Sequence, residues 1–99
     1  MIYCFDLDET LCYATSESYA DAVPFERRIN KVNKLFDEHC YIKIYTARGM
    51  ISGTDYRELT EWQLEEWGIR HHELIMGKPA ADIYIDDKAK SDKEFFNEQ

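Results

Sequence analysis

The sequence predicts a single α/β domain built on a parallel sheet. Two observations lead to this prediction: short apolar or β-branched runs alternate with amphipathic stretches, and polar residues follow the ends of those runs. A length of 99 residues without a Pro- or Gly-rich linker suits one compact domain. Strands that alternate with helices are typical of parallel sheets whose faces are covered by crossover helices.

The first half of the chain predicts two strands and one helix. Residues 2–5 form a short apolar run that ends in acid, which is typical of a buried strand. Residues 11–23 are polar and predict a loop, and Pro24 suits the first position of a helix. Residues 41–45 are β-branched and aromatic and predict the second strand. Between these two strands, apolar residues at helical spacing predict a helix: Phe25, Ile29, Val32 and Phe36.

The second half predicts a helix from about Asp55, which Gly68 ends at the C′ position, and two further strands at 73–76 and 83–85. Gln63 interrupts the apolar stripe of that helix, and the pattern offers no reason for it. Ser91 and Glu94 have the spacing of a capping box for a last short helix.

Together these elements predict a compact Rossmann-like sandwich that occupies residues 1–99 as one domain. We expect a four-stranded parallel sheet with the strands in the order 4-1-2-3 and helices on both faces. The short connections leave no room for a large cap.

Composition and charge exclude several classes of protein. Apolar residues make up 44% and charged residues 32%, as in ordinary soluble domains. There is no apolar run of about 20 residues and no basic start before an apolar core, so we expect neither a membrane span nor a secretory signal. A net charge of −8 disfavours nucleic-acid backbones. The spacing of the three cysteines matches neither a disulfide framework nor a zinc site, which indicates thiols in a reducing cytoplasm.

Carboxylates gather at the ends of two predicted strands. Asp6 and Asp8 follow the first strand, and Asp86 and Asp87 follow the fourth. Parallel sheets bind ligands at the carboxyl ends of their strands, so these acids would meet at one edge. Their mutual repulsion favours a bound hard cation, and a set of oxygen ligands suits Mg²⁺.

Thr46 and Lys78 lie at or just past the second and third strand ends. A hydroxyl donor and a cation at that edge can stabilise a phosphoryl group. Four ionised carboxylates would leave the site negative even with Lys78 and Mg²⁺ present. Phosphate binding would therefore need one protonated carboxyl or additional backbone N–H donors. A protonated carboxyl beside an ionised one is also the arrangement in which one acts as the acid and the other as the nucleophile.

In chain order, Asp6-x-Asp8-x-Thr10, Thr46, Lys78 and Asp86-Asp87 resemble the four signature motifs of the haloacid dehalogenase superfamily of phosphotransferases. The resemblance spans residues 2–88, and Glu9 stands where the family often has glycine. Residues 45–50 and 77–89 are also similar to small phosphatases of bacterial capsule and polysaccharide biosynthesis.

The resemblance implies a capless, Mg²⁺-dependent phosphatase that works through an aspartyl-phosphate intermediate. Asp6 would be the nucleophile and Asp8 the general acid and base, with Thr46 and Lys78 binding the phosphoryl group. Mg²⁺ would be held by Asp6, the carbonyl of Asp8 and one acid of the later pair, with Asp87 as the direct ligand and Asp86 as support.

The expected substrate is a small phosphorylated sugar, polyol or amino alcohol, with Arg48 and Thr10 as substrate-binding residues. We expect no nucleic-acid or membrane partner. The sequence leaves open whether the chain forms a homo-oligomer. Two alternatives also stay open: a catalytically silent partner protein with the same fold, and a receiver-like phospho-signalling module. The loop at 11–23 suits hydrogen bonding to a sugar or polyol through its hydroxyl-bearing residues: Thr15, Ser16 and Ser18, with Tyr13 and Tyr19.

Overall fold

The computed structural model describes residues 1–15 and 17–98, and its backbone alternates strands and helices. A 3₁₀ turn over Tyr19–Asp21 lies in the first long connection. The strands and helices, in chain order, are β1 (Ile2–Asp6), β2 (Cys12–Tyr13), β3 (Val23–Pro24), α1 (Glu26–Asp37), β4 (Tyr41–Tyr45), α2 (Arg57–Glu66), β5 (Glu73–Ile75) and α3 (Asp92–Phe95).

The main sheet is parallel, which confirms the α/β class, but it has three strands in the order β1-β4-β5. The prediction of a fourth strand at 83–85 was wrong: this segment lies outside the sheet, with Ile83 76% and Ile85 95% exposed. The connection explains the difference. Parallel strands need a crossover of about a dozen residues or more, whereas only residues 76–82 separate β5 from this segment.

The helices pack on one face of the sheet rather than on both. Phe5, Ile42 and Ile44 point to that face and share a core with residues of α1 and α2, and the ring of Phe95 in α3 packs edge-to-face against Phe5 of β1. The strand order explains the arrangement, because right-handed crossovers that proceed in one direction along a sheet place successive helices on the same side. The buried apolar residues are Phe5, Leu7, Leu11, Cys12, Ile29, Val32, Ile42, Ile44, Leu64 and Ile69.

The connection at 11–23 is more regular than expected, since β2 and β3 form a small antiparallel hairpin. Pro24 pairs with Cys12 in this hairpin and does not begin the helix. The N–H of Phe25 donates to the carbonyl of Leu11 at 2.9 Å, which keeps the chain extended as far as Phe25. Helix α1 therefore begins at Glu26.

Two predicted helix ends are confirmed. Gly68 follows α2 with φ +66°, the left-handed conformation that glycine adopts most easily. At the start of α3, the hydroxyl of Ser91 accepts a hydrogen bond from the N–H of Glu94 at 3.2 Å. In the described part of the chain, no helix combines the length and the apolar character needed to cross a membrane.

Candidate functional site

Asp6 is the last residue of β1, and both oxygens of its carboxylate have partners. Oδ1 lies 3.1 Å from Nζ of Lys78, and Oδ2 accepts a hydrogen bond from the hydroxyl of Thr10 at 3.1 Å. The side chain of Asp6 is 29% exposed. The carboxylate is therefore oriented and partly neutralised while a ligand can still reach it.

Lys78 is placed by the end of β4, although it follows β5 in the chain. Its N–H donates to the carbonyl of Thr46 at 3.1 Å, and its ammonium lies over the rings of Tyr45 and Tyr84. Burial alone would lower the pKa of Lys78. The charge of Asp6 and its hydrogen bond outweigh burial and raise that pKa above its ordinary value. Lys78 is thus a fixed cation beside Asp6 at neutral pH.

A tight turn after β1 positions Asp8. The carbonyl of Leu7 accepts hydrogen bonds from the N–H groups of Leu11 and Cys12, at 2.8 and 3.3 Å. Glu9 lies at the tip with φ +67°, a conformation that costs a residue with a side chain free energy and that glycine adopts readily. This geometry gives a physical reason why glycine is common at the matching place in the family that the motif resembles.

Arg48 contacts the carboxylate of Asp8 from the protein interior. Its Nη2 lies 2.8 Å from Oδ1 of Asp8, and its Nε donates to Oδ2 at 3.0 Å. The side chain of Arg48 has no exposed surface, whereas that of Asp8 is 22% exposed. We expected Arg48 to bind the substrate, but in this arrangement the guanidinium is enclosed by the protein and holds Asp8 instead.

Arg48 has further partners in helix α2 and in the 3₁₀ turn. Its Nη1 donates to Oε1 of Gln63 at 2.6 Å and to the hydroxyl of Thr60 at 3.1 Å, and its guanidinium lies 4.7 Å from the ring centre of Tyr19. Gln63 in turn donates to the backbone carbonyl of Tyr19 at 2.7 Å. These contacts explain the polar residue in the apolar stripe of α2. The interruption was the one sequence signal that could have identified this part of the site.

Thr46 directly follows β4 and is almost fully buried. Its Oγ1 accepts a hydrogen bond from the N–H of Arg48 at 3.1 Å, which fixes the start of the loop after β4. The hydroxyl hydrogen of Thr46 can still be donated to an incoming oxygen atom.

Thr10 and the hairpin loop differ from the sequence-based expectation. We expected Thr10 to bind substrate, but its hydroxyl donates to Asp6 and its carbonyl accepts from Nη1 of Arg28 at 3.0 Å. Thr10 therefore orients the carboxylate of Asp6. Of the loop hydroxyls, Ser18 donates to Asp21, and Ser16 lies outside the described residues.

Asp86 and Asp87 lie on an exposed segment and do not join Asp6 and Asp8 in a metal site. Within residues 1–15 and 17–98, no group of three or more Asp, Glu, His or Cys side chains is arranged to hold a metal ion. Asp86 accepts a hydrogen bond from the N–H of Lys88 at 2.9 Å, which lowers the pKa of Asp86 below its ordinary value. As arranged, these residues do not fit the Mg²⁺ site that the sequence predicts.

The local charge balance also differs from the one expected from sequence. Two carboxylates, Asp6 and Asp8, face two cations, Lys78 and Arg48, so their formal charges cancel. Cys12 adds no charge, because burial and the neighbouring Asp8 raise the pKa of its thiol to about 12. A phosphate dianion thus meets a site that is close to neutral.

No protein-family model and no curated protein matches the chain. Among solved structures, the fold is similar to the crystal structure of a structural-genomics target from Vibrio cholerae, with a TM-score of 0.88 and 25% sequence identity. The alignment covers 99% of this chain and 89% of that one, so the likeness extends over the whole domain.

Proposed function

We propose that this protein is a phosphomonoester hydrolase in which Asp6 is the nucleophile. The observation that carries the proposal is the environment of Asp6: a strand-end carboxylate that is 29% exposed, oriented by Thr10 and paired with Lys78 at 3.1 Å. A nucleophile of this kind needs fixed orientation and a cation that meets the charge of the transferred group.

In the first step, a carboxylate oxygen of Asp6 attacks phosphorus and the bond from phosphorus to the leaving oxygen breaks. The leaving oxygen takes a proton from Asp8, which must enter this step as the neutral acid, and departs as an alcohol. Lys78 stabilises charge on the phosphoryl oxygens, and the hydroxyl of Thr46 donates to one of them. In the second step, water gives a proton to the carboxylate of Asp8 and attacks the phosphoryl group, inorganic phosphate leaves, and the carboxylate of Asp6 and the neutral form of Asp8 are regenerated.

Asp8 is the proposed source and acceptor of the transferred proton. It lies two residues after Asp6 and is partly exposed, while Arg48 holds both of its oxygens from the protein side. This arrangement supports a fixed acid and base beside the nucleophile, since general acid–base catalysis requires a group held within reach of the proton. Arg48 acts here as a positioning residue for Asp8 and not as a substrate contact.

Mg²⁺ remains an implication of the family resemblance. The present placement of Asp86 and Asp87 does not fit it, so no step above uses a metal. The proposed substrate class is a small phosphorylated sugar, polyol or amino alcohol of capsule or polysaccharide precursor synthesis, and the proposed location is the cytoplasm. The partly exposed carboxylate of Asp6 and the short connections between the described elements suit an accessible small phosphate ester.

The alternative is a catalytically silent protein that keeps the fold. The arrangement of Asp86 and Asp87 supports this alternative, because among the described residues they do not combine with Asp6 and Asp8 into a group that could hold a metal ion. Such a protein would neither release phosphate nor become phosphorylated on Asp6.

The test compares Asp6→Asn with Asp37→Asn, which removes an exposed carboxylate at the end of α1. Phosphate release from a panel of sugar, polyol and aryl phosphates should disappear in the first variant and persist in the second. Rapid acid quenching followed by peptide mass spectrometry should find a phosphoryl adduct on Asp6 in the wild type. Turnover by folded Asp6→Asn would exclude Asp6 as the nucleophile, and neither turnover nor adduct in the wild type would favour the silent protein.

A further inference from the structure

Arg28 of α1 is a second buried arginine, and the proposed chemistry does not use it. Its side chain is 9% exposed, and its guanidinium lies between two acidic side chains in and just after α3. Nη1 donates to Oδ2 of Asp92 at 2.8 Å, while Nε and Nη2 donate to the carboxylate of Glu98 at 3.1 and 2.8 Å. Because two carboxylates surround this one cation, it offers no free charge to a substrate phosphate.

One further hydrogen bond links Arg28 to the turn after β1. Its Nη1 also donates to the backbone carbonyl of Thr10 at 3.0 Å. The N–H of Thr10 donates to the carbonyl of Leu7 at 3.2 Å, so both backbone polar groups of Thr10 have partners. Hydrogen bonds on both sides of the Cα atom restrict the backbone conformation of Thr10, and the backbone conformation determines which side-chain rotamers are allowed.

The side chain of Thr10 completes a chain of hydrogen bonds to the proposed nucleophile, because its hydroxyl donates to Oδ2 of Asp6 at 3.1 Å. Reacting groups must be held within about 0.5 Å of the productive geometry, and supporting hydrogen bonds provide that precision. We propose that Arg28 is a positioning residue for Asp6 that acts through Thr10, an inference that rests on the proposed function.

Lys31 joins the same two helices without this link. Its Nζ donates to the carbonyl of Phe95 at 2.9 Å and lies 4.6 Å from the centre of the Phe95 ring. Both contacts are to α3. A role of Arg28 that is confined to holding α1 and α3 together would therefore be shared by Lys31, whereas an effect on Asp6 requires the hydrogen bond to Thr10.

Steady-state hydrolysis of p-nitrophenyl phosphate compares Arg28→Met with Lys31→Met as the matched control. Arg28→Met should lower kcat about tenfold with KM nearly unchanged, the effect of losing roughly one hydrogen bond in the transition state. Lys31→Met should retain the wild-type kcat. Circular dichroism establishes that each variant is folded. Where Arg28→Met does not fold, Arg28→Lys replaces it, because lysine keeps the charge between the two acids but lacks the forked donor geometry of arginine.

A double-mutant cycle distinguishes positioning through Thr10 from general support of the fold. Thr10→Val keeps the backbone carbonyl and removes the hydroxyl that donates to Asp6. In that background the Arg28 substitution should cause no further loss of kcat, because its effect passes through the missing hydroxyl. A wild-type kcat in the folded Arg28 variant, or the same loss in both backgrounds, would overturn the proposal.

Hydrogen exchange separates a failure of this inference from a failure of the proposed function. By NMR, exchange of the Thr10 N–H should accelerate about tenfold in the Arg28 variant, relative to the N–H of Ile44 in the core, and stay unchanged in Lys31→Met. A wild type that hydrolyses no phosphate ester would count against the proposed function, and the exchange rates would still decide whether Arg28 holds Thr10. Unchanged exchange at Thr10 in the folded Arg28 variant would overturn the positioning role.

Discussion

The guanidinium of Arg48 lies beneath the carboxylate of Asp8, with Nη2 2.8 Å from Oδ1 and Nε 3.0 Å from Oδ2. The arginine is completely buried while the aspartate is partly exposed. The pair therefore connects the surface of the candidate site to the polar side chains of α2. Among the described residues no buried side-chain nitrogen or oxygen lacks a hydrogen-bond partner, so removing Arg48 would leave several groups unsatisfied.

Replacing Arg48 with methionine should destabilise the protein by about 3 kcal/mol, because it leaves Asp8, Thr60 and Gln63 without their shared donor. Urea denaturation measures the loss. Arg57→Met is the matched control, because Arg57 forms an exposed ion pair with Glu61, and such pairs contribute about 1 kcal/mol or less. Equal losses in the two variants would contradict a structural role for Arg48.

Asp8→Asn should lower kcat by roughly 10²–10⁴-fold, the usual contribution of general acid–base catalysis, and leave KM nearly unchanged. The amide oxygen of asparagine can still accept from Arg48, so the fold should persist. Steady-state kinetics on whichever substrate the wild type turns over checks this. A rate close to that of the wild type would remove Asp8 from the proposed chemistry.

Glu9→Gly should stabilise the protein by roughly 0.5–1 kcal/mol. Glycine relieves the left-handed backbone at φ +67°, and the greater freedom of glycine in the unfolded chain offsets part of that gain. Glu9→Ala is the control, because it also loses the 3.3 Å hydrogen bond from the N–H of Ala14 but keeps the strained backbone. Thermal melting of both variants should place Glu9→Gly above the wild type and Glu9→Ala below it.

Millimolar Mg²⁺ alone should raise the melting temperature only slightly, because Lys78 and Arg48 already neutralise Asp6 and Asp8. A well-formed site at a hundred times its Kd would add about 2.7 kcal/mol, which amounts to many degrees in a chain of this length. Scanning calorimetry with and without Mg²⁺ distinguishes the two cases. A large rise that Asp87→Asn abolishes and Asp82→Asn retains would show that the exposed acidic pair binds metal.

Stability should fall below about pH 4 through Asp92. A hydrogen bond from Arg28 at 2.8 Å, together with the charge of Arg28, lowers the pKa of Asp92 below its ordinary value. A carboxylate whose pKa is lowered in the folded state stabilises that state above its unfolded pKa, about 3.9, and this contribution is lost as pH falls through the folded pKa. Urea denaturation should be measured from about pH 2 to about pH 7, a range that spans the ordinary carboxyl pKa of about 3.9. As pH falls, the free energy of unfolding should decline less steeply for Asp92→Asn than for the wild type.

Local pattern was enough to predict the elements whose signals lie within a few residues. Strands β1 and β4 appeared as apolar runs, and the glycine after α2 and the serine before α3 indicated where those helices end or begin. The parallel sheet followed from the alternation of strands and helices. The same pattern predicted a fourth strand at 83–85, because an apolar run carries no information about whether its connection is long enough to pair it.

The sequence by itself also determined which residues carry charge at the strand ends, and the structure does place Asp6 beside Lys78. Only the tertiary structure decided that Arg48 lies under Asp8 with Gln63, and that Asp86 and Asp87 remain outside that cluster. The physical reason is that side-chain direction and burial depend on packing between elements far apart in the chain. Residue spacing can bring charges to one edge of a sheet, but packing decides which of them meet.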